Sequence, residues 1–141
     1  MLHIVGNECR DDSSIDYRVR KQYFFRASPQ GLLAWDVDRL VLNARDLPVQ
    51  SMPLSEIREL DCPVSGDDET TTWRALVTHL VLIDAADLGY PIILAADGSV
   101  MDGRHRLAKA LREGRSTIDA VQFAEDPPPD YVGKQPHELP Y

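Results

Sequence analysis

At 141 residues, 43% of them hydrophobic, the chain is long enough for one domain with its own core and no disulfide or metal staples. No apolar run approaches the ~20 residues of a membrane helix, and a net charge of −8 with a pI near 4.8 argues against broad nucleic-acid binding, which needs Lys and Arg to displace counterions from phosphates. The start, MLHIVGNECRDDSS, lacks the basic and apolar regions of a signal peptide, so the expected compartment is the cytoplasm, and Cys9 and Cys62 lack the spacing of a metal site and read as free thiols.

Asp11 to Ser14 reads as a lead-in, and Tyr17, Val19, Tyr23 and Phe24 predict a strand within Ile15 to Phe25. Val37, Leu40, Val41 and Ala44, at i, i+3, i+4 and i+7, predict a helix to about Arg45, capped by Asp36, with Ser28-Pro29 as a competing start. Pro48 to Leu60 reads as a strand entering a short turn at Ser55 to Ile57, and Cys62 to Thr72 reads as a loop. A threonine at 70 to 72 caps a helix to about Ala86, with Leu76, Leu80 and Ile83 on one face, Val77 and Val81 beside it, and His79 given no role.

Pro91 to Leu94 predicts a short apolar strand, Asp97-Gly98 a tight turn and Val100-Met101 the returning arm. A helix follows, with Asp102 as N-cap, Leu107, Ala108, Ala110 and Leu111 as its buried stripe and Gly114 as its stop. Thr117 to Phe123 predicts a last strand, and the residues from Pro127-Pro128-Pro129 onward an extended tail.

Residues 101 to 115 hold Arg104, Arg106, Lys109, Arg112 and Arg115 against only Asp102 and Glu113, a local excess of cations in an acidic chain. Backbone N–H groups in the first turn of a helix have no intrahelical partner, and with the positive end of the helix dipole they attract anions. Gly103 would let an anion approach without a Cβ, while Arg104, His105 and Arg106 fan around the helix end and offer donors to different oxygens. Lys109, Arg112 and Arg115 read as the charged outer face of a surface helix, favoured near its C-terminus by the dipole. Phosphate-loop, dinucleotide, zinc-protease and serine-hydrolase motifs are absent, and histidines at 3, 79, 105 and 137 suggest no metal site.

Pro91 to Leu94, Asp97-Gly98, the Asp102-Gly103-Arg104-His105-Arg106 box, Ala110, Gly114 and the strand from Thr117 resemble the core of the ParB/sulfiredoxin superfamily. Pro53 to Ile57 resembles its opening strand and turn, and Ala86 to Pro91 its lead into the central strand, so the resemblance covers residues 47 to 124 of a single domain, with 1–45 an unmatched extension and 125–141 a Pro-rich tail. It implies an α/β fold of small mixed sheet and packed helices, in which a β-hairpin leads into a phosphate-binding helix. By resemblance, Gly103, His105 and Arg106 contact nucleotide phosphates with Arg104 beside them.

The departures matter too. Sulfiredoxin has its catalytic cysteine where this chain has Arg104, and partition proteins carry a Gly-Glu-Arg-Arg box and a helix-turn-helix domain missing here, so direct DNA binding is not expected. The nearest box is that of free-serine kinases. The resemblance therefore implies binding of ATP, ADP or CTP with Mg2+, and transfer of a phosphoryl group to a small molecule or protein. Asp102, His105 and Glu59 are the catalytic candidates, Glu59 chosen over Glu56 and Asp61. The alternatives are a non-catalytic module whose nucleotide governs a protein partner, and a ParB-like nuclease.

Overall fold

The structure, a computed structural model, describes residues 21–62 and 72–141. In chain order the elements are β1 (Tyr23–Ser28), β2 (Gly31–Asp36), α1 (Val37–Ala44), β3 (Gln50–Pro53), 3-10 turns at Leu54–Glu56 and Arg58–Asp61, α2 (Trp73–Ala85), β4 (Ile92–Leu94), β5 (Val100–Asp102), α3 (Arg104–Arg112), β6 (Thr117–Gln122), β7 (Tyr131–Val132) and a 3-10 turn at Pro136–Glu138. The expected mixed α/β class is observed: among the described residues three helices pack with two small sheets, ordered β1-β2-β7 and β3-β6-β4-β5. The lead-in, the first residues of the expected strand from Ile15, Cys9, His3 and most of the loop after Cys62 lie outside the described residues.

Why Ile92-Ile93-Leu94 is uniformly apolar follows from the second sheet. Successive strand residues point to opposite faces, so a strand covered on both sides needs apolar residues throughout. Ile92 and Leu94 join Leu54, Ile57, Val100, Leu107 and Ala110 in one cluster, with α3 and the first 3-10 turn as its cover. Ile93 joins Phe24, Trp35, Leu40 and Met101 in another, closed by α1 and the first sheet. β4 pairs antiparallel with β5 and parallel with β6, where Ile92 lies opposite Ala120. The path from β5 back to β6 runs through α3, which places the start of that helix at the end of the hairpin.

Local signals account for most boundaries. Asp36 caps α1, its Oδ1 accepting the Asp38 N–H at 2.9 Å, and Thr72 caps α2, its Oγ1 accepting the Ala75 N–H at 3.0 Å. α3 stops at Gly114, whose φ of +76° lets the Arg115 N–H reach back to the Ala110 carbonyl at 3.0 Å.

Several expectations are corrected. Asp102 does not cap α3; it is the last residue of β5, opposite Ile93, and Gly103 takes the cap position. Leu111, expected in the buried stripe of α3, is exposed, and α2 has no fully buried residue, its Leu76, Val77 and Leu80 being exposed as well. The Pro-rich tail does not extend away. It runs back along the first sheet, where the Pro127 carbonyl accepts the Trp35 indole N–H at 2.7 Å, Asp130 accepts the Asp36 N–H at 2.8 Å, and Tyr131–Val132 pairs with β2.

Candidate anion-binding site

The hairpin delivers the chain to α3 through Gly103, whose φ is +107°. A Cβ there would lie 2.6 Å from Cγ2 of Ile92 and 2.9 Å from Nη2 of Arg106. The missing side chain therefore faces the sheet and the arginine, which corrects the expectation that glycine opens the helix end to an incoming anion. Glycine here lets the helix start settle onto β4 in a left-handed conformation that other residues rarely adopt. Among the described residues no side chain caps the first turn; the first intrahelical bond runs from the Leu107 N–H to the Gly103 carbonyl at 2.9 Å. The N–H groups of Arg104, His105 and Arg106 precede that bond.

The three basic side chains do different things. Arg104 is exposed and forms no ion pair or hydrogen bond with a described residue. Arg106 turns back to Asp102, Nη2 to Oδ2 at 2.9 Å, with both side chains 18% exposed, while its Nε is buried without a partner. His105 is half-buried and meets His79 of α2, Nε2 to Nδ1 at 3.1 Å. Burial, then the charges of His79 and Arg104, lower the His105 pKa against the opposing pull of Asp102.

His79 is the site residue that sequence reasoning missed. Lys109 and Arg112, at i+4 and i+7 from His105, share its face of α3, and nothing in the sequence says that this face lies against α2. There the Lys109 ammonium donates to the carbonyls of Ala86 at 2.7 Å and Asp84 at 3.1 Å, and Arg112 pairs with the Asp84 carboxylate. Both cations thus close the carboxyl end of α2, where the dipole favours them.

Glu59 sits apart from this end of the helix in its bonding. Its Oε2 accepts the Val100 N–H at 2.6 Å, and its Oε1 is buried without a partner. Glu56 lines a cavity of about 160 Å³ with Met52, Ile57, Leu94, Gly98 and Gln122, and Asp61 ends the second 3-10 turn at the surface.

No family model, curated protein or solved structure matches the chain.

Among the described residues no three His, Cys, Asp or Glu side chains gather as a metal site, and no helix is long and apolar enough to cross a membrane. Asp102, a catalytic candidate from the sequence, is paired with Arg106. What the helix start offers an anion is a set of first-turn backbone N–H groups on the helix axis, a guanidinium unpaired among the described residues, and a histidine.

Proposed function

We propose that the chain binds the phosphate of a nucleotide, or of another phosphate-bearing small molecule, at the start of α3, through the first-turn N–H groups, Arg104 and His105. One observation carries this reading: an uncapped helix start bears an arginine with no counter-charge among the described residues. Cations in a first turn oppose the helix dipole by about 0.3–1 kcal/mol each. Asp102 offsets that for Arg106. For Arg104 a bound phosphate would do so. The resemblance of the box from Asp102 to Arg106 to that of the ParB/sulfiredoxin superfamily supports the same reading.

Binding is better supported than phosphoryl transfer, because the carboxylates offered as base, Asp102 and Glu59, are both engaged in holding the fold. A second reading, nucleotide-governed association with a protein, is favoured by Trp73, Leu76, Val77 and Leu80, exposed at i, i+3, i+4 and i+7 on the helix that contacts His105.

Calorimetric titration with ATP, ADP, CTP and GTP, with and without magnesium, tests the reading. One nucleotide is expected to bind, and Arg104→Ala to weaken it about 10- to 100-fold, the worth of charge-assisted hydrogen bonds. Absence of binding by all four would overturn it. Nucleotide turnover, or a change in oligomeric state on binding, then separates transfer from association.

A further inference from the structure

We infer that the cavity beside Glu56, at the carboxyl ends of β4 and β6, binds a small primary amine whose ammonium group is taken by the Glu56 carboxylate. This site stands apart from the start of α3. Gly98 at the hairpin tip lines it, whereas Gly103 lies beyond the other end of β5.

The sheet topology opens the cavity. β4 and β6 run parallel with Leu94 opposite Gln122, and both strands end there. Beyond that point the chain diverges: β4 turns back into β5 through Asp97-Gly98, while β6 leaves for the first sheet, where Pro127 meets Trp35. In open α/β sheets, divergence at the carboxyl ends of parallel strands leaves a crevice for ligands. A Cβ at Gly98 would meet nothing within 4 Å, so the hairpin tip does not close the space. At about 160 Å³ the cavity far exceeds the ~10–15 Å³ that one water needs and falls below the ~300–1,000 Å³ of pockets for drug-sized ligands. A nucleotide does not fit there; a short aliphatic molecule does.

The polar lining sets the charge of the occupant. Glu56 and Gln122 are its polar side chains, and among the described residues no Lys, Arg or His lines it. Gln122 donates through Nε2 to the carbonyls of Ala95 at 3.1 Å and Ala96 at 3.2 Å, which leaves its Oε1 as an acceptor. The Gly98 N–H goes to the Ala95 carbonyl at 2.9 Å and the Ile57 N–H to the Leu54 carbonyl at 3.1 Å. On either side of Asp97-Gly98, the Ala96 N–H goes to the Asp126 carboxylate and the Ser99 N–H to that of Asp97. These donors are engaged, and acceptors are left over. Glu56 is exposed and forms no ion pair or hydrogen bond with a described residue. Three residues on, Glu59 adds a second carboxylate: Oε2 holds Val100, the partner of Leu94, and Oε1 is buried without a partner. The cations that act on the turn, Arg26 and Arg58, act on Asp97, and neither lines the cavity. Acceptors beside Met52, Ile57 and Leu94 suit a cation that carries its own donors on a short apolar body, an alkylammonium ion. A ligand bearing a carboxylate would instead set like charge against Glu56.

Butylammonium is the probe, with butyrate and butanol as its anionic and neutral counterparts. The whole chain, labelled with 15N and with 13C at its methyl groups, is titrated with each at neutral pH. Saturable shifts are expected with butylammonium at the Met52 and Leu94 methyls and the Gly98 and Gln122 amides, with a Kd on the order of 1 mM. Butanol is expected to bind more weakly and butyrate not at all. Glu56→Gln, at an exposed position, is expected to keep the amide spectrum of the fold and to weaken butylammonium about 5- to 10-fold. Absence of saturable shifts at the cavity overturns the inference. So does butyrate binding as tightly as butylammonium, unchanged affinity in Glu56→Gln, or shifts spread evenly over the exposed carboxylates. The phosphate reading stands or falls separately, on ATP and the amides of Arg104 to Arg106.

Discussion

Gly103 stands directly against Ile92: a Cβ at residue 103 would be 2.6 Å from Cγ2 of Ile92, far inside normal contact. Gly103→Ala adds that clash to a strained left-handed backbone, so it is expected to cost about 2–4 kcal/mol. Urea unfolding without any ligand checks it. An unchanged midpoint would show that the glycine serves the anion and not the packing.

Glu59 tests whether a carboxylate offered as catalytic is structural. Its Oε2 anchors β5 through the Val100 N–H. Glu59→Ala leaves that donor without an acceptor and is expected to lower stability by about 1–3 kcal/mol, whereas Glu59→Gln keeps an acceptor and should lose less. Chemical denaturation of the two variants beside the parent protein gives the comparison.

Lys109 joins two helices. Lys109→Ala removes its bonds to the Ala86 and Asp84 carbonyls and is expected to cost about 1–2 kcal/mol, since cations at a helix C-terminus and charge-assisted bonds are each worth about a kilocalorie at a partly exposed site. Hydrogen exchange should show the loss first at the carboxyl end of α2. Uniform loss across the domain would argue against a local clamp.

The lowered pKa of His105 has a defined sign in stability. Below the ordinary histidine value, about 6.5, the unfolded chain binds a proton there that the folded chain resists, so folding weakens as pH falls from that value toward the lowered one. Above 6.5 the effect is absent. Asp36 and Asp97, whose pKa values are also lowered, add their own losses only as pH falls through and below the carboxylate range. Denaturation midpoints between pH 7.5 and pH 5.5 should decline in the parent protein and less in His105→Asn.

Legibility in the sequence followed the range of the interaction. Asp36 and Thr72 cap their own helices within three residues, and Asp97-Gly98 closes its hairpin on itself, so each was readable locally. Asp102 was misread because two local roles competed, and strand pairing with Ile93, a partner nine residues back, took it. The tail was misread for the same reason: Pro127 and Asp130 find their partners near residue 35, beyond any local pattern. On α2 the periodicity marked an apolar stripe correctly but could not tell that Leu76 and Leu80 would remain uncovered. At the site, the box from Asp102 to Arg106 was visible as a concentration of charge. Its division into an exposed Arg104, a paired Arg106 and a His105 facing His79 was not, because each depends on what folds against it.

The claim that the start of α3 holds phosphate is tested most directly by the backbone amides themselves. Uniformly 15N-labelled protein is titrated with ATP and the amide resonances are followed. The account predicts that the largest shifts fall on Arg104, His105 and Arg106, saturate together, and shrink in Arg104→Ala. Saturable shifts centred elsewhere, on the cavity beside Glu56 for example, or no shifts at these three amides, would contradict it.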